Sequence, residues 1–293
     1  MESKVERRTL NELQTLYQLE PGLRDIYVEG PSDCALLRWI LRDRDLQRTQ
    51  IYDIDTIEIT AEHLEEFSFL PGARSRIIVL GRKLEAVLPM QSTQVTCVID
   101  SDIEGALGRP EKGRLILGTD YADIEGYLLT EEVISKFLLV VLGVQPKIQV
   151  SRLLEMYLGI LREPFLLRMA GSSTGIPLAR VKIVKSCQAN GEAVRLDRDD
   201  LVKRMLEKSG AAAFRDQIEA AVQELRGTLN GDPRCYVSGH EFIDLFGWHW
   251  ATQARKRGLR DLSAIGPVLR NGLDSGAVSG EPLFQAIRGR LFR

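Results

Sequence analysis

The sequence predicts an α/β protein, with an open, mainly parallel sheet flanked by helices and then a mostly helical C-terminal part. Up to about residue 145, short apolar runs alternate with helical patterns, which is the rhythm of βαβ units. Beyond Pro146, apolar residues recur mostly at the helical period. We therefore predict two domains, residues 1–145 and residues 146–293.

Four strands and three helices are predicted in the first domain. The predicted strands are DIYVEG (25–30), IYDIDTIEI (51–59), QVTCVID (94–100) and RLILGTD (114–120). The predicted helices are CALLRWILRDRDL (34–46), GARSRIIVLGRKLEAVLP (72–89) and EEVISKFLLVVLG (131–143). The second helix contains RIIVL, which on its own is also typical of a strand. Its apolar residues fit the helical period over the longer window, so we predict a crossover helix.

The second domain has three clear helical patterns: VSRLLEMYLGIL (150–161), RDDLVKRMLEK (198–208) and AFRDQIEAAVQELRGTL (213–229). Between the first two, ARVKIVKS (179–186) and EAVRLD (192–197) are predicted to pair as a small hairpin.

The composition is that of an ordinary globular protein of 293 residues, 44% of them hydrophobic. The four cysteines are scattered and form no CxxC or Cys/His pattern that would indicate a disulfide framework or a zinc site, so we expect them to be small core residues. No apolar stretch approaches the roughly 20 residues of a membrane helix, and the charged N-terminus does not resemble a signal peptide. We therefore expect a cytoplasmic protein with no membrane partner.

The charge is unevenly distributed, although the net charge is only −2. Residues 95–132 carry nine acids against three bases, and residues 252–293 carry eight bases against three acids. An acidic site with a basic tail suits a metal-dependent enzyme that acts on a polyanion. For the tail alone, arginines on solvated helix faces are common and are the favoured explanation.

Acidic residues gather directly after a predicted strand in CVIDSDIEG (97–105). If the chain stays extended, Asp100 and Asp102 project to the same face, with Glu104 nearby. Ligands of open parallel sheets bind outside the carboxyl ends of the strands. A divalent cation such as Mg²⁺ or Mn²⁺ would relieve the repulsion between these carboxylates. A DxD motif alone is weak evidence, because solvated loops also carry it.

Two further strand ends carry acid pairs. Glu29 ends the first strand in YVEGPSD and Asp33 follows in the first helical turn, while Asp123 and Glu125 precede an apolar run in DIEGYLL. Helix capping is a rival explanation for Asp33, because a helix N-terminus favours negative charge. Capping explains little for Glu29, which lies before the helix. Three acid pairs at three strand ends predict one shared site.

These motifs, VEGPSD, VIDSD and DIEGYLL, resemble those of the TOPRIM domain, and more narrowly the TOPRIM nucleases of the overcoming-lysogenization-defect (OLD) type. The segment GHEFIDLF (239–246) is loosely similar to one in stand-alone relatives that act beside a separate ATPase in PARIS-type anti-phage defence. The chain has no GxxxxGK[ST] motif, unlike the OLD proteins, which carry their own ATPase domain. An ABC/AAA-type ATPase would therefore be a separate partner.

The resemblance implies a set of site residues. The implied metal ligands, for Mg²⁺ or Mn²⁺ and two ions, are Glu29, Asp33, Asp100, Asp102, Asp123 and Glu125. Glu29 would act as a general base or as a bridge between metals, and the sequence does not separate these roles. Asp100 and Asp102 would take part in catalysis, and Glu104 has no counterpart in the motif.

The remaining candidate residues each have one functional and one structural interpretation. Lys182 and Lys185 would steady a phosphate, with Lys182 as a catalytic residue, or would lie on a solvated strand face. His240 would be catalytic or would brace the helical part, and bracing is favoured. Trp248 and Trp250 would stack on bases, or, as is more common for such residues, fill a core or a partner interface.

The predicted function is a metal-dependent endonuclease that is a toxic effector of anti-phage defence, cleaves RNA such as tRNA, or DNA, and is released by the ATPase. A homodimer is expected in the active state. The alternative is a non-catalytic TOPRIM-like binding or regulatory module of an ATPase complex. Primase or topoisomerase chemistry is weaker, because the sequence has no zinc-binding or paired tyrosine motif.

Overall fold

The computed structural model describes residues 7–42, 49–92, 94–259 and 261–291. The chain forms two compact units: residues 1–101, 110–120 and 274–293 make the first, and residues 102–109 and 121–273 make the second. These contact-defined units follow different boundaries from the sequence-predicted domains 1–145 and 146–293, and that division stays a prediction.

The elements are numbered in chain order. The strands are β1 Arg8–Thr9, β2 Asp25–Val28, β3 Ile51–Asp53, β4 Ile57–Glu58, β5 Val95–Ile99, β6 Ile116–Gly118, β7 Cys187–Asn190 and β8 Ala193–Leu196. The α-helices are α1 Leu10–Leu19, α2 Pro31–Leu41, α3 Ala61–Glu65, α4 Ala73–Val87, α5 Asp102–Ala106, α6 Glu131–Lys136, α7 Val150–Ser173, α8 Arg198–Lys208, α9 Arg215–Arg226, α10 Gly239–Lys256, α11 Ile265–Asn271, α12 Ser275–Val278 and α13 Pro282–Leu291.

The first unit is an α/β layer built on a parallel sheet of order β3-β2-β5-β6. Every residue of β2 and of β5 is buried, as continuous apolar runs of central parallel strands require. Helix α4 packs closely on β5 and β6 at Gly81, where an added Cβ would lie 2.9 Å from Ile116. The predicted strands at 25–30, 94–100 and 114–120 and the crossover helix are therefore confirmed.

The predicted strand 51–59 is wrong as one element. It consists of β3, a 3₁₀ turn over Ile54–Thr56, and β4, which pairs with β1 and not with the main sheet. The Asp53 carboxylate accepts from the Asp55 amide at 3.0 Å, and the Thr56 hydroxyl donates to the Asp53 carbonyl at 2.7 Å. These local bonds favour the turn over continued pairing. The helix predicted over 34–46 is confirmed as far as Leu41, and residues 43–46 lie outside the described residues.

The second unit is mostly helical and is organised around α7. In the C-terminal half of α7, the Arg168 guanidinium donates to both Glu241 oxygens of α10, at 2.7 and 3.1 Å, and both side chains are buried. This bidentate pair satisfies two charges inside the core. The helices predicted over 150–161, 198–208 and 213–229 are confirmed as α7, α8 and α9. The helix predicted over 131–143 is confirmed as α6, which continues as a π-helix over Phe137–Val141.

The predicted hairpin exists, but its first strand is displaced. Strand β8 lies within the predicted 192–197, whereas its antiparallel partner is Cys187–Asn190 and not residues 179–186. Residues Ile183–Ser186 form a 3₁₀ turn. The Ser186 hydroxyl donates to the Asp200 carboxylate at 2.6 Å, which ties this turn to α8 before the strand begins.

An aromatic cluster joins α7 and α10 and decides the role of Trp250. The Trp250 indole donates to the buried Tyr157 hydroxyl at 3.0 Å, and His249 contacts the same hydroxyl and the Gly191 carbonyl. Trp250 is therefore a core residue, whereas Trp248 is half-buried. Among the described residues, no helix has the length and apolar character needed to cross a membrane.

Candidate active site

Glu29 and Asp100 lie together at the carboxyl ends of the two central strands of the first unit. Each follows its strand by one residue, Glu29 after β2 and Asp100 one position beyond β5. The Asp100 amide donates to the Glu29 carboxylate at 3.0 Å. Both side chains are half-buried, so solvent and ligands reach them. Arg74 of α4 donates to the Asp100 carbonyl at 3.2 Å and brings a positive charge to the same strand end.

Asp33 takes part in helix capping. Its carboxylate accepts from the Gly30 amide at 3.0 Å, which is the N3 side of a capping box at the start of α2. Pro31 occupies the first helical turn, where its missing N–H costs nothing. The capping interpretation of Asp33 is thus confirmed.

Asp102 does not extend the strand as expected. The chain leaves the extended path after Ile99, and Asp102 starts the short helix α5 with φ at +46°. The prediction that Asp100 and Asp102 share one strand face is therefore wrong in its geometry. The left-handed region costs an L-residue about 1–3 kcal/mol, and Asp adopts it more readily than most side chains do. The Asp102 amide donates to the Ala122 carbonyl at 2.7 Å, which fixes this conformation.

Asp123 and Glu125 are buried in the second unit. The Asp123 Oδ2 atom accepts from the Gly239 amide at 2.7 Å and from the Ser238 hydroxyl at 3.2 Å. Its Oδ1 atom and the Glu125 Oε2 atom are buried and lack a hydrogen-bond partner among the described residues. Burial, followed by the nearby Glu125 charge, raises the pKa of Asp123 to about 7. Two buried carboxylates with unused oxygens are a donor set that a cation fits.

Sequence reasoning missed two arginines that face these acids. Arg270 of α11 donates to the Glu125 Oε1 atom at 3.0 Å, so it offsets part of the charge. Arg180 lies 3.8 Å from the Asp102 carboxylate and donates to the Ser238 hydroxyl at 3.5 Å. Neither arginine lies in a motif, and the sequence carries no signal that pairs them with acids so far away along the chain.

His240 and Gly239 contact the DIEG segment. The His240 Nε2 atom lies 3.6 Å from the Glu125 Oε2 atom, and the imidazole is 56% exposed. A Cβ on Gly239 would lie 2.3 Å from the Glu125 Cβ and 2.6 Å from the Asp123 Oδ1. Only glycine allows this approach of α10. The close approach of Gly239 packs α10 against the two acids, while the role of His240 stays a prediction.

Lys182 and Lys185 are exposed, but not on a strand face. Lys182 precedes the 3₁₀ turn Ile183–Ser186 and Lys185 lies within it, so the expected alternation with Val181 and Ile183 along a strand is wrong. Both line a cavity of about 420 Å³ in the second unit.

The predicted metal ligands divide between the units: Glu29, Asp33 and Asp100 belong to the first, and Asp102, Asp123 and Glu125 to the second. Within the described ranges, no group of three or more His, Cys, Asp or Glu side chains is arranged to hold a metal ion. The shared pocket for all six acids stays a prediction.

The fold and the acids together define a class: an α/β protein whose parallel sheet carries carboxylates at the carboxyl ends of its central strands. No protein-family model and no curated protein matches the chain.

Proposed function

We propose that the chain is a metal-dependent TOPRIM-like endonuclease of the OLD type. The observation that carries the proposal is the contact between Glu29 and Asp100 at the carboxyl ends of β2 and β5. Open parallel sheets place their ligands at this edge. A carboxylate held against the neighbouring strand end is also pre-positioned, since its rotamer is already constrained by a hydrogen bond.

The proposed ligands are the six acids of the sequence motifs. In the first unit, Glu29 and Asp100 lie together at the ends of β2 and β5, and Asp33 lies in the first turn of α2. In the second unit, the buried Asp123 Oδ1 and Glu125 Oε2 atoms have no hydrogen-bond partner among the described residues, which favours a cation. Arg270 neutralises part of the Glu125 charge, and the His240 imidazole lies near Oε2. The hard oxygen donors favour Mg²⁺ or Mn²⁺ over softer metals.

Bound divalent ions would supply Lewis-acid stabilisation and a more acidic attacking water. The chain's own residues perform the remaining tasks. Glu29 orients or deprotonates the attacking water, because it lies at the open strand end and accepts hydrogen bonds. Arg180, beside Asp102, offers a guanidinium to the phosphate of the substrate.

The proposed biological role comes from the resemblance. In this role the chain is a toxic effector of anti-phage defence, released by a separate ABC/AAA-type ATPase, active as a homodimer, and directed at RNA such as tRNA, or at DNA.

A cleavage assay tests the nuclease proposal. Purified protein, with and without its ATPase partner, is incubated with tRNA and with plasmid DNA in Mg²⁺ or Mn²⁺. We expect cleavage that EDTA abolishes and that Glu29→Gln lowers by about 100-fold or more, the range for loss of a general base. Gln keeps an oxygen that accepts from the Asp100 amide, so the fold is preserved.

Glu224→Gln is the matched control, because Glu224 is exposed on α9. It is expected to cleave like the wild type. Cleavage by Glu29→Gln at the wild-type rate would exclude the proposed site. Intact RNA and DNA under all conditions, together with wild-type toxicity of Glu29→Gln in cells, would instead support the non-catalytic module.

A further inference from the structure

A basic cavity in the second unit is not used by the proposed chemistry. It has a volume of about 420 Å³ and lies between the 3₁₀ turn Ile183–Ser186 and α8. Its lining residues are Val181, Lys182, Lys185, Arg204, Glu207 and Lys208. Four of the six are cations and one is an acid. Such a concentration of positive charge around a concave surface favours a polyanion.

The two lysines of the turn are available for a ligand. Among the described residues, neither the Lys182 nor the Lys185 ammonium has a hydrogen-bond or ion-pair partner, and both side chains are exposed. The other charges are partly engaged. Arg204 donates to Asp200 at 2.6 Å, and Glu207 lies 3.9 Å from Lys203, which does not line the cavity. The uncompensated charge of the cavity is therefore centred on the turn.

The lining favours phosphate over base recognition. It contains no aromatic ring, so a nucleobase has no surface on which to stack. Ammonium groups bind phosphates as point charges without reading sequence. The cavity therefore suits the sugar-phosphate backbone of a nucleic acid.

The cavity is connected to the acids of the second unit through one residue. The Lys208 ammonium donates to the Arg180 carbonyl at 2.7 Å. The Arg180 guanidinium lies 3.8 Å from the Asp102 carboxylate and donates to Ser238, whose hydroxyl donates to Asp123. Arg180 thus connects the cavity to Asp102, because its carbonyl accepts from Lys208 and its guanidinium faces the Asp102 carboxylate.

We propose that this cavity binds the phosphate backbone of a nucleic acid and positions it beside Asp102. The proposal rests on the proposed nuclease function for its biological meaning, but it makes a claim about binding that needs no cleavage.

Binding in the absence of metal tests the cavity separately from the chemistry. The full chain is titrated into a fluorescein-labelled 20-nucleotide RNA and its DNA equivalent, in EDTA, at several salt concentrations, with fluorescence anisotropy as the readout. Each phosphate contact to a single strand contributes about 0.7 to the slope of log K against log salt. Removing two contacts with Lys182→Ala and Lys185→Ala should lower the slope by about 1.4 and weaken binding about 25-fold at 0.1 M salt.

The matched control is the double variant Arg152→Ala and Arg195→Ala. It removes the same charge from two exposed positions outside the cavity and should bind like the wild type. Equal weakening in both double variants would show only a general charge effect and overturn the proposal. Wild-type affinity in the lysine variant, or a wild type that binds neither strand, would also overturn it.

Competition separates a backbone from a free nucleotide. Unlabelled RNA should displace the probe, whereas ATP at the same phosphate concentration should not. Equal displacement by ATP would identify a mononucleotide pocket and contradict the proposal. If the lysine variant binds weakly while no condition yields cleavage, the result supports the binding proposal for the cavity and contradicts the nuclease proposal. If the lysine variant binds normally while cleavage depends on Glu29, the result supports the nuclease proposal and contradicts the binding proposal for the cavity.

Discussion

At the scale of single residues, Asp123 is a buried carboxylate with few hydrogen-bond donors around it. A carboxylate in a dry interior is costly unless donors or a cation surround it. The Gly239 amide and the Ser238 hydroxyl serve only its Oδ2 atom, and Glu125 adds a like charge nearby. The residue thus destabilises the fold when it is ionised.

This cost predicts a pH dependence of stability. The pKa of Asp123 is raised to about 7 in the folded state, against about 3.9 in an unfolded chain. Between these values the folded state binds more protons than the unfolded state. The stability contributed by the protonated Asp123 side chain is therefore complete below pH 4 and is lost as the pH rises to 7. In EDTA, Asp123→Asn should therefore gain stability relative to the wild type across this window, by up to about 1.4 kcal/mol for each pH step of one.

Urea unfolding from pH 4 to pH 8 measures this difference. Asp216→Asn removes the same charge from an exposed position of α9 and should differ from the wild type by a small, constant amount. A difference between Asp123→Asn and wild type that does not vary with pH would show that Asp123 titrates normally.

Asp102 marks a limit of sequence reasoning at this scale. The period-2 rule placed it on the face of Asp100, but the rule holds only while the chain is extended. The Asp102 amide instead donates to Ala122, and its φ of +46° turns the chain into α5. That bond joins residues 20 positions apart in the sequence, so no local pattern could predict it.

The start of α10 is the decisive feature at the scale of elements. The helix approaches the DIEG segment so closely that Gly239 has no room for a side chain. The same approach lets the Gly239 amide donate to Asp123. The sequence similarity of the Gly-His segment pointed to this element, although only the structure shows that its contacts are with Asp123 and Glu125.

Substitution of Gly239 tests this packing. Gly239→Ala should lower the free energy of unfolding by about 1–3 kcal/mol, the usual cost of overpacking, because a backbone or side-chain shift must relieve a contact of 2.3 Å. Gly159→Ala is the control, since an added Cβ at this exposed position of α7 meets nothing within 4 Å. It should raise stability by about 0.5–1 kcal/mol through helix propensity.

Chemical denaturation of both variants gives the comparison. If Gly239→Ala is as stable as Gly159→Ala, α10 does not pack against the DIEG segment in solution.

In the hairpin, the local sequence pattern and a tertiary hydrogen bond favour different structures for the same segment. Alternation in ARVKIVKS favoured a strand, yet the bond from Ser186 to Asp200 anchors the segment to α8 as a turn. Pairing then starts at Cys187. As a result, Lys182 and Lys185 line a cavity and do not share one strand face.

At the scale of the whole molecule, apolar patterning predicted the elements that form the parallel sheet. Strands β2, β5 and β6 and helix α4 follow from runs of buried residues, and burial is what such patterns report. The contact of Glu29 with Asp100 follows from the same logic, because neighbouring parallel strands end at one edge. Patterning could not predict Arg180 and Arg270, whose contacts with the acids depend on tertiary packing.

Metal binding is the central claim for the molecule, and calorimetric titration of Mn²⁺ into the full chain tests it most directly. The wild type should give a saturable heat of binding, because carboxylate oxygens are ligands that suit Mn²⁺. The double variant Glu29→Gln and Asp100→Asn should lower that heat, while Glu224→Gln with Asp216→Asn should keep it unchanged. A Glu29 and Asp100 double variant that binds Mn²⁺ as the wild type does would contradict the account.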